Sequence, residues 1–523
     1  MACPTNPLKI DSNSVSTRYA FEVCIGELPG EDGSNFAVDA IGIPEEELSG
    51  TSPVFHLTEP NSFGDFGPNF SNTVRRPITD TAQLEKGVRT DLDAAANFQL
   101  DLTTDNFERL APTFFFAGYR RQPQFGRSSQ ETITGVASNV ISGTGIDAIF
   151  TTSDLVIVRR FSADEDDVLR TVSATGSGEI TVSGTIADAT PSATAYVKRV
   201  GVETAAGDVD VDASGTSPVL TSTAFDFTTL NVVAGQWIYI GEGTGQLTSF
   251  TSAVNNGYAR VKSVSANALE LDKTQNVMVD EANTAQTIRI FVSDLIRNEP
   301  TSDLIVRNTV QVERSLGGAG FEYVKGCFAN TLAINLAGQD KVTVDLGFLA
   351  LDTVYEDNAS RKAGTFPVID TDNEAFNTVS DFARIRLSRK DDFNTALNAF
   401  LTEATINVSN SGTAAKALGT LGAFEITRGF FTVGGNITAY FSDIASVQAI
   451  RENADVSFDF TLALNNRAWV FDIPLVALGD GRLQVEQDTE IKIPITFDAG
   501  RDTELQVTMI ACFFPFVPAA ATV

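Results

Sequence analysis

One histidine in 523 residues is the sharpest absence in this sequence. A Ser-His-Asp triad or a histidine-rich metal site needs imidazole with partners close by. His56 stands alone in SPVFHLTEPNSF, among Pro, Ser and Phe, and reads as structural. Cysteines are also few: Cys3, Cys24, Cys327 and Cys512, none in a CxxC pair, which excludes zinc-ribbon and thioredoxin-like chemistry. Long apolar runs are missing too. The longest stretch is Met509–Val523. It falls short of the ~20 residues of a membrane helix, and Pro515 and Pro518 interrupt it. The opening MACPTNPLKIDSNS has no apolar core of a secretory signal, so synthesis in a cytoplasm is expected, with no membrane partner. Positive charge is scarce as well: 37 Lys and Arg face 67 Asp and Glu, a net charge of −30. Such a surface lacks the basic footprint of a conventional DNA binder. It suits either a solubility device or a passage along which DNA slides without sticking.

Other motifs fail on inspection. Asp208, Asp210 and Asp212 begin like an EF-hand loop, but Ala213 replaces the turn glycine and Val219 the bidentate Glu. The run Asp164–Asp167 reads as a solvated loop. The glycine clusters 241–245 and 317–320 complete neither GxGxxG nor a Walker loop. No pair among the acidic residues stands out as a glycosidase pair. The expectation is no catalytic, metal-binding or cofactor-binding set, and no cofactor.

What is present is β-pattern. Leu332, Ile334 and Leu336 alternate with small or polar residues, the chain turns at Gly338-Gln339-Asp340, and Val342, Val344, Leu346 and Phe348 resume. This predicts a hairpin, Thr331–Leu349, with one buried face. A second is predicted from Leu483 and Val485 to Ile491–Phe497, with Pro494 marking its return strand as an edge or bulge. Three short helices are expected. One starts at an Asp105/Glu108 capping box and buries Phe107, Leu110 and Phe114. One spans Asp391–Ala404 with Phe393, Leu397, Phe400 and Leu401 on a face. One spans Ser442–Arg451, capped by Ser442 or Asp443, with Ile444, Val447 and Ile450 turned inward.

These pieces recur in order. Strands near 18–24 and 97–102, a helix and the hairpin 331–349 are echoed by strands near 383–387 and 436–441, a helix and the hairpin 483–497. FQLDLTTDNFERLA and ITAYFSDIASVQAI carry the same strand, cap and helix. An old duplication and shared β-patterning both explain this. Residues from about 125 to 298 interrupt the first set with many short strands, as in a β-sandwich or small barrel.

Val310–Asp352, VQVERSLGGAGFEYVKGCFANTLAINLAGQDKVTVDLGFLALD, resembles the tail tube proteins of long-tailed bacteriophages. In that family an E-R/K strand, a tyrosine-bearing strand and a glycine turn (here Gly326-Cys327-Phe328) lead into a wall hairpin. Phe430–Phe513 is similar to the end of the same family, with GNITAYF (Gly435–Phe441), Asp472-Ile473-Pro474 and FDAGRD (Phe497–Asp502). The resemblance implies a mainly β fold: two tube-type sandwich or barrel domains, each with a short helix, and an inserted all-β region. The implied boundaries are 1–124 and 299–360 for the first tube domain, 125–298 for the insertion, 361–380 for a linker and 381–523 for the second tube domain. It implies a structural virion protein that catalyses nothing and stacks into rings as the conduit for DNA ejection. The expected partners are copies of itself, tape-measure and tail-end proteins, and passing DNA without specific binding. A homotrimer is favoured over a homohexamer. The inner wall is expected to be acidic, with Asn335, Asp340, Thr343 and Asp345 facing the lumen, and the loop 51–81 to bridge rings. A cell-surface β-sandwich binding protein, another virion component such as a decoration protein, and an acidic hydrolase are the rival readings.

Overall fold

The computed structural model describes residues 15–29, 48–49, 52–78, 80, 83–103, 106–126, 131–161, 165–192, 195–243, 245–301, 304–367, 374–397, 400–441, 444–485 and 487–522. The fold is mainly β. Seventeen strands form one hydrogen-bonded system. In chain order they begin with β1 (Val15–Phe21), β2 (His56–Thr58), β3 (Pro60–Arg75) and β4 (Glu85–Asp101), followed by helix α1 (Asn106–Phe115). After a long excursion come β5 (Asp294–Arg297), β6 (Val310–Leu316), β7 (Phe321–Ala337), β8 (Thr343–Ala350) and β9 (Asp352–Glu356). The last group is β10 (Phe382–Arg389), β11 (Asp392–Ala396), β12 (Leu401–Ser409), β13 (Thr432–Tyr440), helix α2 (Ala445–Arg451), β14 (Val456–Leu464), β15 (Arg467–Asp480), β16 (Lys492–Ala499) and β17 (Ile510–Phe514).

Two long strands, β7 and β15, organise everything else. The first half of β7 pairs with β6 and β9, and its second half pairs with β8 and β12. Likewise the first half of β15 pairs with β14 and β17, and its end pairs with β16. Each strand therefore passes from an outer layer to an inner one, and the core lies between. β7 changes partners at Gly326, where φ is +63° and a Cβ would stand 2.6 Å from Leu351 Cγ, so only glycine fits. The core joins Phe98, Leu332, Val344, Leu346 and Phe348 to Ile406, Ile437, Phe458, Phe471 and Ile495. Each such side chain contributes roughly 1.5–3 kcal/mol on burial.

The hairpin Thr331–Leu349 forms as its alternation predicts, with Leu332 opposite Leu346 and Ile334 opposite Val344. The second hairpin differs. Its strands are the end of β15 and β16, with Leu478 opposite Phe497. Leu483 and Val485 lie beyond them, exposed. β16 is no edge, since β13 and β15 flank it. Pro494, which has no N–H, stands just past the last residue pair with β15.

α1 buries Phe107, Leu110 and Phe114. Asp105 lies outside the described residues. The reciprocal cap is one box earlier: Asn106 N–H donates to Thr103 Oγ1 (3.2 Å) and Thr103 N–H to Asn106 Oδ1 (3.1 Å). Glu108 instead accepts from Arg121 at 2.8 Å. α2 is shorter than its pattern suggests. Val447 and Ile450 pack against the core, but Ile444 is 62% exposed, and the buried positions are Ser446 and Ala449. Ser442 and Asp443 lie outside the described residues.

Among the described residues of Asp391–Ala404 the expected helix does not form. β10 and β11 form a hairpin there, with Arg389 opposite Asp392, and β12 follows. Its apolar residues serve separate contacts. Leu397 is buried, Phe400 is exposed, and Phe393 sits under Arg260 and Lys273 at 5.4 and 5.3 Å. Tertiary partners override the helical spacing. The segment expected to be a loop, 51–81, is largely β3, paired with β4 into a long hairpin arm.

A second sheet of thirteen strands is built from Gln124–Val292. It holds two cores of its own, one including Phe150, Val158 and Ile180, the other Phe227, Ile240 and Leu271. Asp164 lies outside the described residues, but the rest of that acidic run is a built turn and not a solvated loop. Glu165 is buried against Arg170 at 2.5 Å, and Asp166 accepts the Arg160 and Phe161 N–H groups. Asp208 and Asp212 accept from Ser222 and Ser214.

Candidate functional site: a polar sheet with two unpaired edges

The inner layer is one continuous sheet in the order β3-β4-β8-β7-β12-β13-β16-β15. It crosses the whole chain because β7 pairs with β12 over seven residues, from Thr331 opposite Ser409 to Ala337 opposite Glu403. Strand alternation puts apolar residues on its inward face and small polar ones on the other. The polar face is laid out in rows. One row runs Asp101, Thr343, Asn335, Thr405, Asn436, Thr496 and Gly479. The next spans all eight strands: Ser62, Gln99, Asp345, Ala333, Asn407, Gly434, Asp498 and Ala477.

The charge on these rows has one sign. Asp101, Asp345 and Asp498 lie within them, and Glu403 lies one row away, accepting from Thr438 Oγ1 at 2.9 Å. Cations stand at the margins. Lys341 reaches Asp101 at 2.8 Å, and Lys416 reaches Asp91 at 2.6 Å and Asp93 at 2.7 Å. The Lys416 hydrogen bond holds the Asp91 carboxyl below its ordinary value.

Asn335, Thr343 and Asp345 meet on this face. Asp345 accepts from Asn335 Nδ2 at 2.7 Å and from Gln99 Nε2 at 2.8 Å, which fixes its carboxylate across three strands. Asp340 is elsewhere: it caps the exposed hairpin tip, its N–H donating to Thr378 Oγ1 at 3.1 Å. Sequence reasoning missed Gln99, Asn407, Asn436, Thr496 and Asp498, although the alternation in NFQLD, LTEATINVS, NITAYF and PITFD carried the signal.

Both ends of this sheet are open. Among the described residues, β3 pairs only with β4 in this layer, and beyond Val476 the end of β15 pairs only with β16. Unpaired edges of this length are templates for another chain.

The outer layer carries a buried ion network. Asp459 and Asp472 stand opposite each other on β14 and β15. Lys273, from the thirteen-stranded sheet, reaches Asp459 at 3.2 Å and Asp472 at 2.7 Å; Arg260 reaches Asp472 at 2.8 Å, and Arg384 reaches Asp459 at 2.5 Å. Trp237 Nε1 also donates to Asp472, at 3.1 Å. Burial would raise the Asp459 carboxyl, but Arg384 and Lys273 outweigh it and hold it well below the ordinary range. His56 is buried in β2, its ring 5.4 Å from Tyr19 and its Nδ1 2.9 Å from Arg109 Nη1. Among the described residues no group of three or more His, Cys, Asp or Glu is placed to hold a metal ion, and no helix is long and apolar enough to cross a membrane.

The inner layer is thus an extended sheet with one polar face and two edges left unpaired among the described residues. The family model described as Phage tail tube protein matches residues 198–499, more than half of the chain, and the chain belongs to that family. It is thereby a structural component of a phage tail, which self-associates into a tube. A comparison with curated proteins returned no match.

Proposed function

We propose that copies of this chain close their inner sheets around an axis, stack as rings, and form the tail tube of a long-tailed phage through which DNA is ejected. The observation that carries the reading is the β7–β12 junction, where one half of the chain continues the sheet of the other. Two tube domains per chain, 1–124 with 299–360 and 381–523, joined by 361–380, account for the matching sets of partners that β7 and β15 pair with. The thirteen-stranded sheet is then an insertion, 125–298, carried outside the wall. Three chains with two tube domains each would imitate a ring of six, so a homotrimer is favoured over a homohexamer. Tape-measure and tail-end proteins are the remaining partners, and the β3–β4 arm is the bridge to the next ring.

In this reading the polar rows line the bore, with Asn335, Thr343 and Asp345 among them and Asp340 at a rim. DNA carries one charge per ~1.7 Å of axis, and screening acts over ~8 Å at physiological salt. A wall bearing Asp101, Asp345 and Asp498 repels the duplex and lets it slide. Native mass measurement of the purified full chain tests the stoichiometry. Trimers and their multiples are expected. Single chains at every concentration would overturn the proposal.

A further inference from the structure

The two halves of the chain repeat the same ladder, so the junction inside the chain states what the junction between chains should be. This rests on the tube reading above. The correspondence follows from register. Phe98 lies opposite Leu346 in the first half, and Ile437 lies opposite Ile495 in the second. Each pair stands on a strand that leads into a helix, α1 or α2. Continuing along β8 and β16, Gly347 corresponds to Thr496. Their partners across the ladder are Thr331 on β7 and Gly479 on β15. Continuing the other way along β4 and β13, Asp93 corresponds to Thr432. Their partners are Asn69 on β3 and Ser409 on β12.

Within the chain, Thr331 is paired with Ser409. We infer that Gly479 of one copy lies opposite Asn69 of the next, with the edge Ala477–Gln484 running antiparallel to Gly64–Ser71. Both segments are free on the required side among the described residues. The new ladder would carry the row Gly479-Thr496-Asn436-Thr405 onto β3 of the neighbour and keep every polar face on the same side. Phe63, an exposed aromatic at the β3 edge, would be covered by the joining strand.

The test is the double variant Gly479→Cys/Asn69→Cys in the full chain. Residues opposite each other in an antiparallel ladder have Cα atoms about 4.5–5.5 Å apart, inside the range a disulfide spans. Thr331→Cys/Ser409→Cys serves as the matched cross-link within one chain, and the single variants control for the native thiols, Cys24 among them, which is exposed. After mild oxidation of assembled protein, a ladder of linked chains on a non-reducing gel is expected only for the 479/69 pair. Rings visible by microscopy without that ladder, or with a ladder from a shifted pair such as Gly479→Cys/Ser71→Cys, would overturn the register and leave the tube reading standing. Absence of rings in the unmodified chain would overturn both.

Discussion

The two halves solve the same problem differently at corresponding places in the outer layer. In the first half, Glu313 on β6 faces Tyr323 on β7. The Tyr323 hydroxyl donates to Glu313 at 2.7 Å, and Arg361, which follows β9, adds a contact at 2.7 Å. In the second half, Asp459 faces Asp472, and the cations come from Arg384 and from the distant thirteen-stranded sheet. That sheet leaves the chain within the first half and docks on the second. The first half is neutralised by its own next segment; the second depends on side chains of the thirteen-stranded sheet. Without Lys273, Arg260 and Trp237, Asp472 would face Asp459 with only Arg384, bound to Asp459, left among these partners.

Breaking this comparison should hurt the second half most. Lys273→Met leaves Asp459 and Asp472 without their shared ammonium and should cost about 3–5 kcal/mol in chemical unfolding. A loss below about 0.5 kcal/mol would mean that the network holds nothing together. In the first half, Phe107→Ala in α1 should cost a similar ~3–5 kcal/mol by leaving a cavity against Trp469 and Phe471. Arg361→Ala should cost less, about 1–3 kcal/mol, because Glu313 retains the Tyr323 hydroxyl and Arg361 is partly exposed. In α2, Ile444→Ala should stay within about 0.5 kcal/mol, since that side chain faces solvent.

Acid sharpens the comparison through opposite signs. Asp459 has a folded-state value below its ordinary 3.8, so its contribution is complete above that value and is lost as pH falls through the folded one. Glu22, in the first half, is pushed up by burial from 4.5, although Thr309 and the Gly326 and Gly26 N–H groups donate to it. Its contribution is present below its ordinary value and is lost as pH rises through the folded one. Glu22→Gln should therefore flatten the fall in stability above about pH 4.5, the ordinary value. Lys273→Met should be less destabilising near pH 4 than at pH 7, because it removes one of the two charges that hold the Asp459 carboxyl low and so lets that group protonate at higher pH. Unfolding curves across that range would show either outcome.

Sequence pattern revealed the inner sheet well, because a strand buried on one face must alternate. Leu332, Ile334, Val344 and Leu346 announce their own register. The same logic failed at Phe393, Leu397 and Phe400: Phe393 lies under Arg260 and Lys273, Leu397 is buried, and Phe400 faces solvent. It also failed at Asp472, which read as one letter of a strand motif and is the centre of an ion network. Its partners Lys273 and Arg260 are about 200 residues away in sequence, and nothing local marks them. The arm of β3 looked like a loop because Pro60, Gly64, Gly67 and Pro68 punctuate it, yet pairing with β4 holds it extended.

Electron microscopy of the concentrated full chain tests the central claim most directly. Hollow rings are expected, their inner wall the eight-stranded sheet of each chain, with Asp345 and Asp498 facing the bore. Rings whose bore is lined by the thirteen-stranded sheet, or particles that remain solid and single, would contradict it.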